Sequence, residues 1–399
     1  MLPHCIGVYA CGMGGAGMAL ATDATKIASN PALGGRLGNE LSVSLGWMHP
    51  DRTMDAQGPT PPGFPFPFAN TASGEQTSQI ENYPDGALAF NYRLSPTLAV
   101  GAAMVPGGGG ETKYAMSRTA TGQMGFGNAG AMYDSQVRIR YASLTPTVAW
   151  TPSAKASYGA SVILGYMDFK SNMAVMNPAF TGLPSSPTLM TSGANELERV
   201  YGIGLKVGGV WDLSPQVSVA ATASTGTRYQ RLDDYRDLFT GPLHLPPNFG
   251  VGVTFRASPS TDIVADVQYQ MWEAVEAIGG EQPAQGGFGW ENQPIFALGV
   301  QHRLSDRFAV RAGWNYGPSP IPDDVVFANA LFPAVIEHHF TAGATYAISD
   351  RWEVSGSAYF APKVTQTDPG TGDMFSQFGG GTVITMKQYG GQVGLRWKF

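Results

Sequence analysis

The sequence predicts an all-β fold, a 14-stranded antiparallel transmembrane β-barrel with an N-terminal hatch inside its lumen. Three observations lead there. Only 14% of the 399 residues are charged, while Gly numbers 52 and aromatics reach 11%; soluble domains carry about a quarter charged residues. No run of about eighteen apolar residues exists to form a spanning helix, so any hydrophobic face is hidden by strand alternation. Short turns and long connections alternate strictly, which puts every long loop on one side, as in outer-membrane barrels.

Residues 1–40 form the expected hatch, with short helices, and residues 41–399 the barrel. Gly12, Gly14 and Gly17 spell G-x-G-x-x-G after a strand-like Ile6–Ala10. A dinucleotide fingerprint needs a βαβ unit around it, whereas strand follows strand here, so no cofactor is expected. A compact plug needs the same glycines for turns and close backbone contacts. Residues 23–27 read as a short helix that Asn30-Pro31 would end, since Pro disfavours the α conformation before it. Cys5 and Cys11 lie close together, where an oxidising periplasm would join them in a disulfide; unpaired thiols, or a metal site with His4, are the alternatives. Met1-Leu2-Pro3-His4 lacks the basic and apolar regions of a signal peptide, so the start is expected to be that of a processed, exported chain.

The strand-like runs are 41–48, 85–93, 97–106, 137–150, 156–173, 197–211, 217–230, 247–257, 261–272, 293–303, 308–316, 337–347, 352–360 and 388–399. Six tight turns join them in pairs, beginning at Arg93, Thr151, Asp212, Ala257, Arg303 and Ile348, each with the Ser, Pro or Asp of short connections. From Thr261 onward, Ile263, Ala265, Val267, Tyr269 and Met271 face lipid, and Asp262, Asp266, Gln268 and Gln270 face the lumen. Phe308, Val310, Ala312, Trp314 and Tyr316 are expected outward with Arg311 and Asn315 inward. Val393, Leu395, Trp397 and the terminal Phe399 close the chain outward. A soluble sandwich shares this period, but Trp150, Trp211, Trp272 and Trp352 gather at strand ends as an interfacial girdle would. A barrel this wide cannot be filled by its own side chains, which gives the hatch its place.

The net charge of −6 argues against a nucleic-acid surface. No Ser-His-Asp set, metal spacing, P-loop or energy-coupling box is legible, so the chain reads as a passive, non-enzymatic, monomeric protein of the Gram-negative outer membrane, in contact with lipid and lipopolysaccharide. Two loops supply apolar candidates for ligand capture: Met173, Val175, Met176, Phe180, Leu183 and Leu189 in the third, and Tyr235, Leu238, Phe239, Leu243 and Leu245 in the fourth, the latter on a short helix from Asp233. The plainer alternative is that they only pack the loops. Arg228 and Arg311 fall on inward positions as candidates for a carboxylate head group, or as partners of a lumen acid such as Asp266.

Gly12-Met13-Gly14-Gly15-Ala16-Gly17, Ala21, Asp23-Ala24 and Asn30-Pro31-Ala32 resemble the hatch and NPA motif of the FadL/TodX family of outer-membrane channels for hydrophobic compounds. Val105-Pro106 with the glycines and Thr112-Lys113-Tyr114 after it resembles that family's third-strand segment, and residues 266–272 and 311–316, with Pro320, Pro322 and Phe332-Pro333, its late strands and loop. The resemblance implies passive transport of fatty acids or hydrocarbons, captured at extracellular loops, held in an internal pocket and released sideways beside a kinked third strand, with Gly101, Pro106 and Gly107 at the opening. It also implies a gate at Asn30, Pro31 and Ala32. A surface receptor or adhesin on the same scaffold, an exporter and a polar porin are the competing functions.

Overall fold

In the computed structural model, residues 3–55, 75–117, 133–171, 196–236, 238–239 and 241–399 are described. Alternation makes each strand two-faced, and the strands pair in sequence order into a sheet that closes on itself. The wall strands are β1 Glu40–Asp55, β2 Tyr83–Arg93, β3 Leu98–Ser117, β4 Tyr133–Ser153, β5 Ala156–Ser171, β6 Glu198–Asp212, β7 Val217–Ser224, β8 Asn248–Ser258, β9 Thr261–Gln270, β10 Gln293–Arg303, β11 Phe308–Tyr316, β12 His338–Ala347, β13 Trp352–Thr367 and β14 Val383–Lys398. The sheet also holds the two-residue pieces Gln76–Thr77 and Arg228–Tyr229. Ring closure runs antiparallel from Glu40↔Lys398 to Asp55↔Val383.

The tight turns share a local device. The hydroxyls of Ser95, Ser214, Ser305 and Ser349 each accept from the backbone N–H groups two and three residues on. These turns replace ladder bonds with side-chain bonds. Outside, the strands carry Leu45, Ile203, Val251, Phe296, Phe340 and Val393 exposed on one face, an apolar belt too extensive for water. Ile263 and Val267 are exposed while Asp262 and Asp266 are buried, so the alternation along β9 is as read from sequence.

Several boundaries differ from the sequence reading. The first strand continues past Met48 to Asp55, because alternation survives Pro50 at a position that is inward and buried. The third does not stop at Pro106: a register shift between Pro106 and Gly108 absorbs an extra residue, as a β-bulge does, and pairing with β4 resumes. The seventh ends at Ser224, where Gly226 takes φ +70°. No helix follows Asp233 among the described residues. Trp272 leaves the girdle; it is 3% exposed and packs inside.

The N-terminal segment lies within the ring. Helix α1 (Val8–Cys11) is followed by 3-10 turns at Ala24–Ala28 and Pro31–Arg36. Asp23 caps the first through Thr25 N–H. Asn30-Pro31 does not merely end it: the Asn30 side chain accepts from Ala32 N–H and caps the second, with Pro31 at its start, where Pro needs no N–H donor. Wall glycines admit this segment at backbone distance. A Cβ at Gly159 would lie 2.3 Å from the Pro31 carbonyl carbon, one at Gly208 2.1 Å from Asn30 Oδ1, one at Gly313 2.1 Å from the Met13 carbonyl carbon and one at Gly394 2.6 Å from Val8 Cγ1. Lys26 is fully buried and donates to Ala16 O at 3.2 Å; burial pushes its ammonium below the ordinary range against the opposing pull of Asp266 and Asp23.

Gly159→Leu is expected to leave the barrel folded but unseat this segment, since overpacking against backbone costs about 1–3 kcal/mol or more. Single-channel conductance should rise while heat-modifiable gel mobility persists; unchanged conductance would show that the segment does not block the lumen.

Candidate functional site

Two of the loops on the side opposite the tight turns fold inward over the plug. Residues 271–292 and 317–337 bring Trp272, Ile278, Trp290, Val325, Val326, Leu331, Val335 and Ile336 into one buried cluster with Met54, Ile139, Tyr141, Leu243 and Met386 of the wall and fourth loop. Trp272 and Trp290 meet edge to face at 4.9 Å, as do Phe288 and Phe332 at 5.1 Å. A fully buried Asn329 stitches these loops together: it accepts from Trp290 Nε1 at 2.7 Å and donates to the carbonyls of Phe288 and Val325. Buried polar groups need such partners, and this one fixes the indole ring at the cavity wall.

Two cavities result. The upper encloses about 80 Å³ between Met48, Ile139, Tyr141, Leu243, Trp272, Phe288, Phe332 and Met386, with Arg52 and Glu111 as its charged lining residues. The lower encloses about 230 Å³ between the plug residues Pro3, His4, Ile6 and Ala28 and the wall, and is more polar, with Lys206, Gln268, Gln270, Asn315 and His339 around it. Leu245, Trp272, Trp290 and Ala334 line both and stand between them. The Lys206 ammonium donates to Ala28 O at 2.7 Å, tying wall to plug at the lower cavity.

Both cavities border the same stretch of wall. β3 pairs with β2 only from Leu88↔Met104 to Arg93↔Ala99, although β2 remains paired with β1 up to Met48↔Tyr83. Beyond Met104 the two strands diverge, with Val105, Pro106 and Gly107 lining the lower cavity and Gly109 and Gly110 the upper. The Tyr83 hydroxyl spans the top of this gap, accepting from Glu111 N–H at 3.0 Å and donating to Glu111 O. Pro106, lacking an N–H, and the glycines after it suit a strand that leaves its neighbour.

The expected site residues fall into separate places. Pro106 and Gly107 edge the gap, whereas Gly101 lies in intact ladder, where a Cβ would be 2.5 Å from Phe90 O and 3.0 Å from Ile27 Cδ1 of the plug. Asn30, Pro31 and Ala32 are buried against β5 and β6; Asn30 Nδ2 donates to Met18 O at 3.0 Å and Gly209 O at 3.4 Å. Leu243 lines the upper cavity, while Phe239 meets Phe169 edge to face at 5.3 Å and Leu238 packs at the cluster's edge, both holding the fourth loop down. Met173, Val175, Met176, Phe180, Leu183 and Leu189 lie outside the described residues, as does Leu2. Arg311 donates to Gln301 Oε1 and Thr345 Oγ1 and sits 4.3 Å over the Tyr9 ring. It therefore braces α1 rather than facing either cavity or Asp266. That carboxylate instead accepts from Met18 N–H of the plug at 2.9 Å. Arg228 is not inward: it pairs in register with the outward Ile203, and Tyr229 takes the inner side, because the strand ended at Ser224 and the alternation restarted after Gly226. Cys5 and Cys11 are joined by a disulfide that ties the plug's first residues to α1. Alternation continued past Met48 would have found Arg52; the apolar fifth and sixth loops carry no period to betray them.

The comparisons with known proteins bear on this arrangement of plug, loops and wall. The model of the outer membrane protein transport protein family (OMPP1/FadL/TodX) matches residues 6–374. The chain belongs to this family. Among solved structures, the toluene transporter TodX of P. putida is similar at 16% identity and a TM-score of 0.72, covering 99% of each chain. The toluene transporter TbuX of Ralstonia pickettii is similar at 16% identity and 0.68, again with 99% of each chain covered. A Pseudomonas aeruginosa FadL homologue is similar at 14% identity and 0.69, covering 100% of this chain and 99% of that one. No curated protein matches the chain in sequence. As a FadL/TodX-family barrel, the chain is an outer-membrane transport channel for hydrophobic molecules, and the bacteria that have such a membrane are Gram-negative.

Two outcomes follow for the plug of this family member. Asn30→Ala removes the cap and both carbonyl contacts and should cost the plug about 1 kcal/mol or more, read as faster hydrogen exchange across residues 24–36 with the wall unchanged. His4 stacks on the His339 ring at 4.1 Å, and burial, then the neighbouring His339, holds its imidazole well below the ordinary 6.5. The folded state favours the neutral ring, so its stabilisation is complete above about 6.5 and is lost as pH falls through the depressed value. Exchange of residues 3–11 should therefore accelerate on acidification in the native protein and much less in His4→Phe; equal acceleration in both would assign the effect elsewhere.

Proposed function

We propose that the chain is a passive channel that passes hydrophobic molecules from its outer loops through the two cavities and sideways into the bilayer between β2 and β3. The observation that carries this reading is the convergence of both cavities on a stretch where the neighbouring wall strands β2 and β3 stop pairing. Each buried CH₂ gains roughly 0.8 kcal/mol, so an apolar ligand moves from loops to cavity to lipid without entering periplasmic water. TodX and TbuX are named as toluene transporters, which supports an apolar cargo of fatty-acid or hydrocarbon type here. The sheet closes on itself through β1 and β14, which supports a monomer in lipid and lipopolysaccharide. Pro31, between two 3-10 turns and against Gly159 and Gly208, is the pivot at which the plug would rearrange to open the lower cavity.

Deleting Gly107 removes the extra residue of the bulge and brings β3 back toward continuous pairing. Uptake of a radiolabelled hydrophobic compound by whole cells should fall about ten-fold or more at equal surface expression; undiminished uptake would reject the lateral route. Pro31→Ala should change uptake while the barrel assembles normally.

A further inference from the structure

On the lipid side of the wall, one sector ends in charge. Along β4, β5 and β6 the outward positions begin near the tight turns with Trp150, Tyr158 and Trp211, Tyr158 standing 6.0 Å from the first ring and 5.9 Å from the second. They run through the exposed Leu144, Leu164 and Ile203 to Tyr166 and Tyr201, which meet edge to face at 6.0 Å. Just beyond, the strand register sets Arg140, Asp168 and Arg199 side by side, with Arg138 beside Lys170 one step further out. The rise from Trp150 to Arg140, at about 3.3 Å per residue and a tilt of about 40°, comes to about 25 Å, the height of an outer-membrane apolar band. These charges therefore stand at the lipid–water boundary on the side of the long loops.

The cluster has a fixed arrangement. Asp168 points outward yet is 2% exposed, because two guanidiniums cover it: Arg138 donates from Nε at 2.7 Å and Nη2 at 2.9 Å, and Arg140 from Nη2 at 3.0 Å. One carboxylate cannot neutralise both. Lys170 lies 3.7 Å from Glu111, and among the described residues no carboxylate pairs with the exposed Arg199. The third loop, residues 172–195, contains no charged residue to supply one. Elsewhere on the outer face Lys387 is held by Asp51 at 2.9 Å, and residues 271–292 and 317–337 of the fifth and sixth loops contain Asp and Glu but no Lys or Arg. The positive face is confined to β4–β6, and exposed ion pairs stabilise too little to account for it. An anion docked there has bare apolar wall directly beneath it, so its occupant must carry acyl chains as well as negative charge.

We propose that Arg138, Arg140 and Arg199 form a binding site for a phosphate of lipopolysaccharide in the outer leaflet, whose acyl chains lie along Leu144, Leu164 and Ile203. The phosphate accepts charge-assisted bonds, for which the planar guanidinium fork is well matched, from two side chains that Asp168 already orients. Gly109 of β3 is the ladder partner of Arg140 and lines the upper cavity, so the bound glycolipid sits at the rim of the gap between β2 and β3. The site rests on the placement of the barrel in the outer membrane and is independent of the route that cargo takes.

The test is native mass spectrometry of the purified full-length barrel in a neutral maltoside detergent, titrated with diphosphoryl lipid A or with the same lipid A stripped of its phosphates. The wild type should bind the diphosphoryl form about ten-fold or more tightly. A triple variant, Arg138→Gln, Arg140→Gln and Arg199→Gln, should lose that preference at equal heat-modifiable folding. A second triple variant removes as much positive charge from the exposed tight-turn side, Lys155→Gln, Arg307→Gln and Arg351→Gln, and should keep the preference. Equal binding of the two lipids by the wild type, an undiminished preference in the first variant, or equal loss in both variants would overturn the site. Displacement of the lipid by an equal concentration of inorganic phosphate would also overturn it, showing an anion site that makes no use of the acyl chains. The uptake experiments on the gap at Gly107 are unaffected by any of these results.

Discussion

Everything in this barrel depends on how closely the N-terminal segment approaches the wall. Along β5, β6, β11 and β14 the wall offers glycine where the segment passes, and the space a methyl group would need is occupied by plug backbone or side chain. A wall that carried side chains at those positions would hold the segment several ångströms away and leave an annulus of water around it. Close approach replaces that annulus with van der Waals contact over a long perimeter, individually weak and collectively large. The abundance of glycine is therefore a packing requirement of the wall as much as of the plug's own turns, where Gly14, Gly15 and Gly17 take positive φ.

With the lower lumen filled, the space that remains for cargo is fixed by the loops above it. Asn329 and the Trp272–Trp290 pair convert two irregular loops into a shaped ceiling. The same two indoles, with Leu245 and Ala334, partition the interior into an upper apolar and a lower mixed compartment. Each compartment holds one inward cation bound to carbonyl or hydroxyl oxygen: Arg52 above and Lys206 below. Each compartment borders the length of β3 that is unpaired from β2.

Strand identity and turn position were legible because a half-buried strand must alternate and a tight turn must supply its own hydrogen bonds, as Ser95, Ser214, Ser305 and Ser349 do. Strand ends were less legible. The glycines after Pro106 read as a loop, yet a bulge lets them keep pairing on one side while releasing the other, a distinction made by the partner strand and invisible in local composition. Stopping β1 at Met48 hid Arg52, and carrying β7 through Gly226 put Arg228 on the wrong face. Trp272 looked interfacial by position alone. The fifth and sixth loops, which build most of the cavity ceiling among the described residues, have neither period nor motif, because their burial is decided by the barrel mouth over which they fold.

One carboxylate sits where three parts of the molecule meet. Glu353 of β13 receives Arg396 and Lys398 of the last strand, and accepts from Tyr9 of the plug at 2.7 Å; Arg396 also holds Glu40 of the first strand. In the closing ladder a slip of two residues would keep every side chain on its proper face, so hydrophobicity alone does not oppose it. It would, however, carry Arg396 away from Glu40 while Glu353 and Tyr9 stayed in place, leaving buried charge uncompensated. The cluster thus ties the frame of the last strand to the seat of the plug: its charges are all paired only in the register that also secures Tyr9.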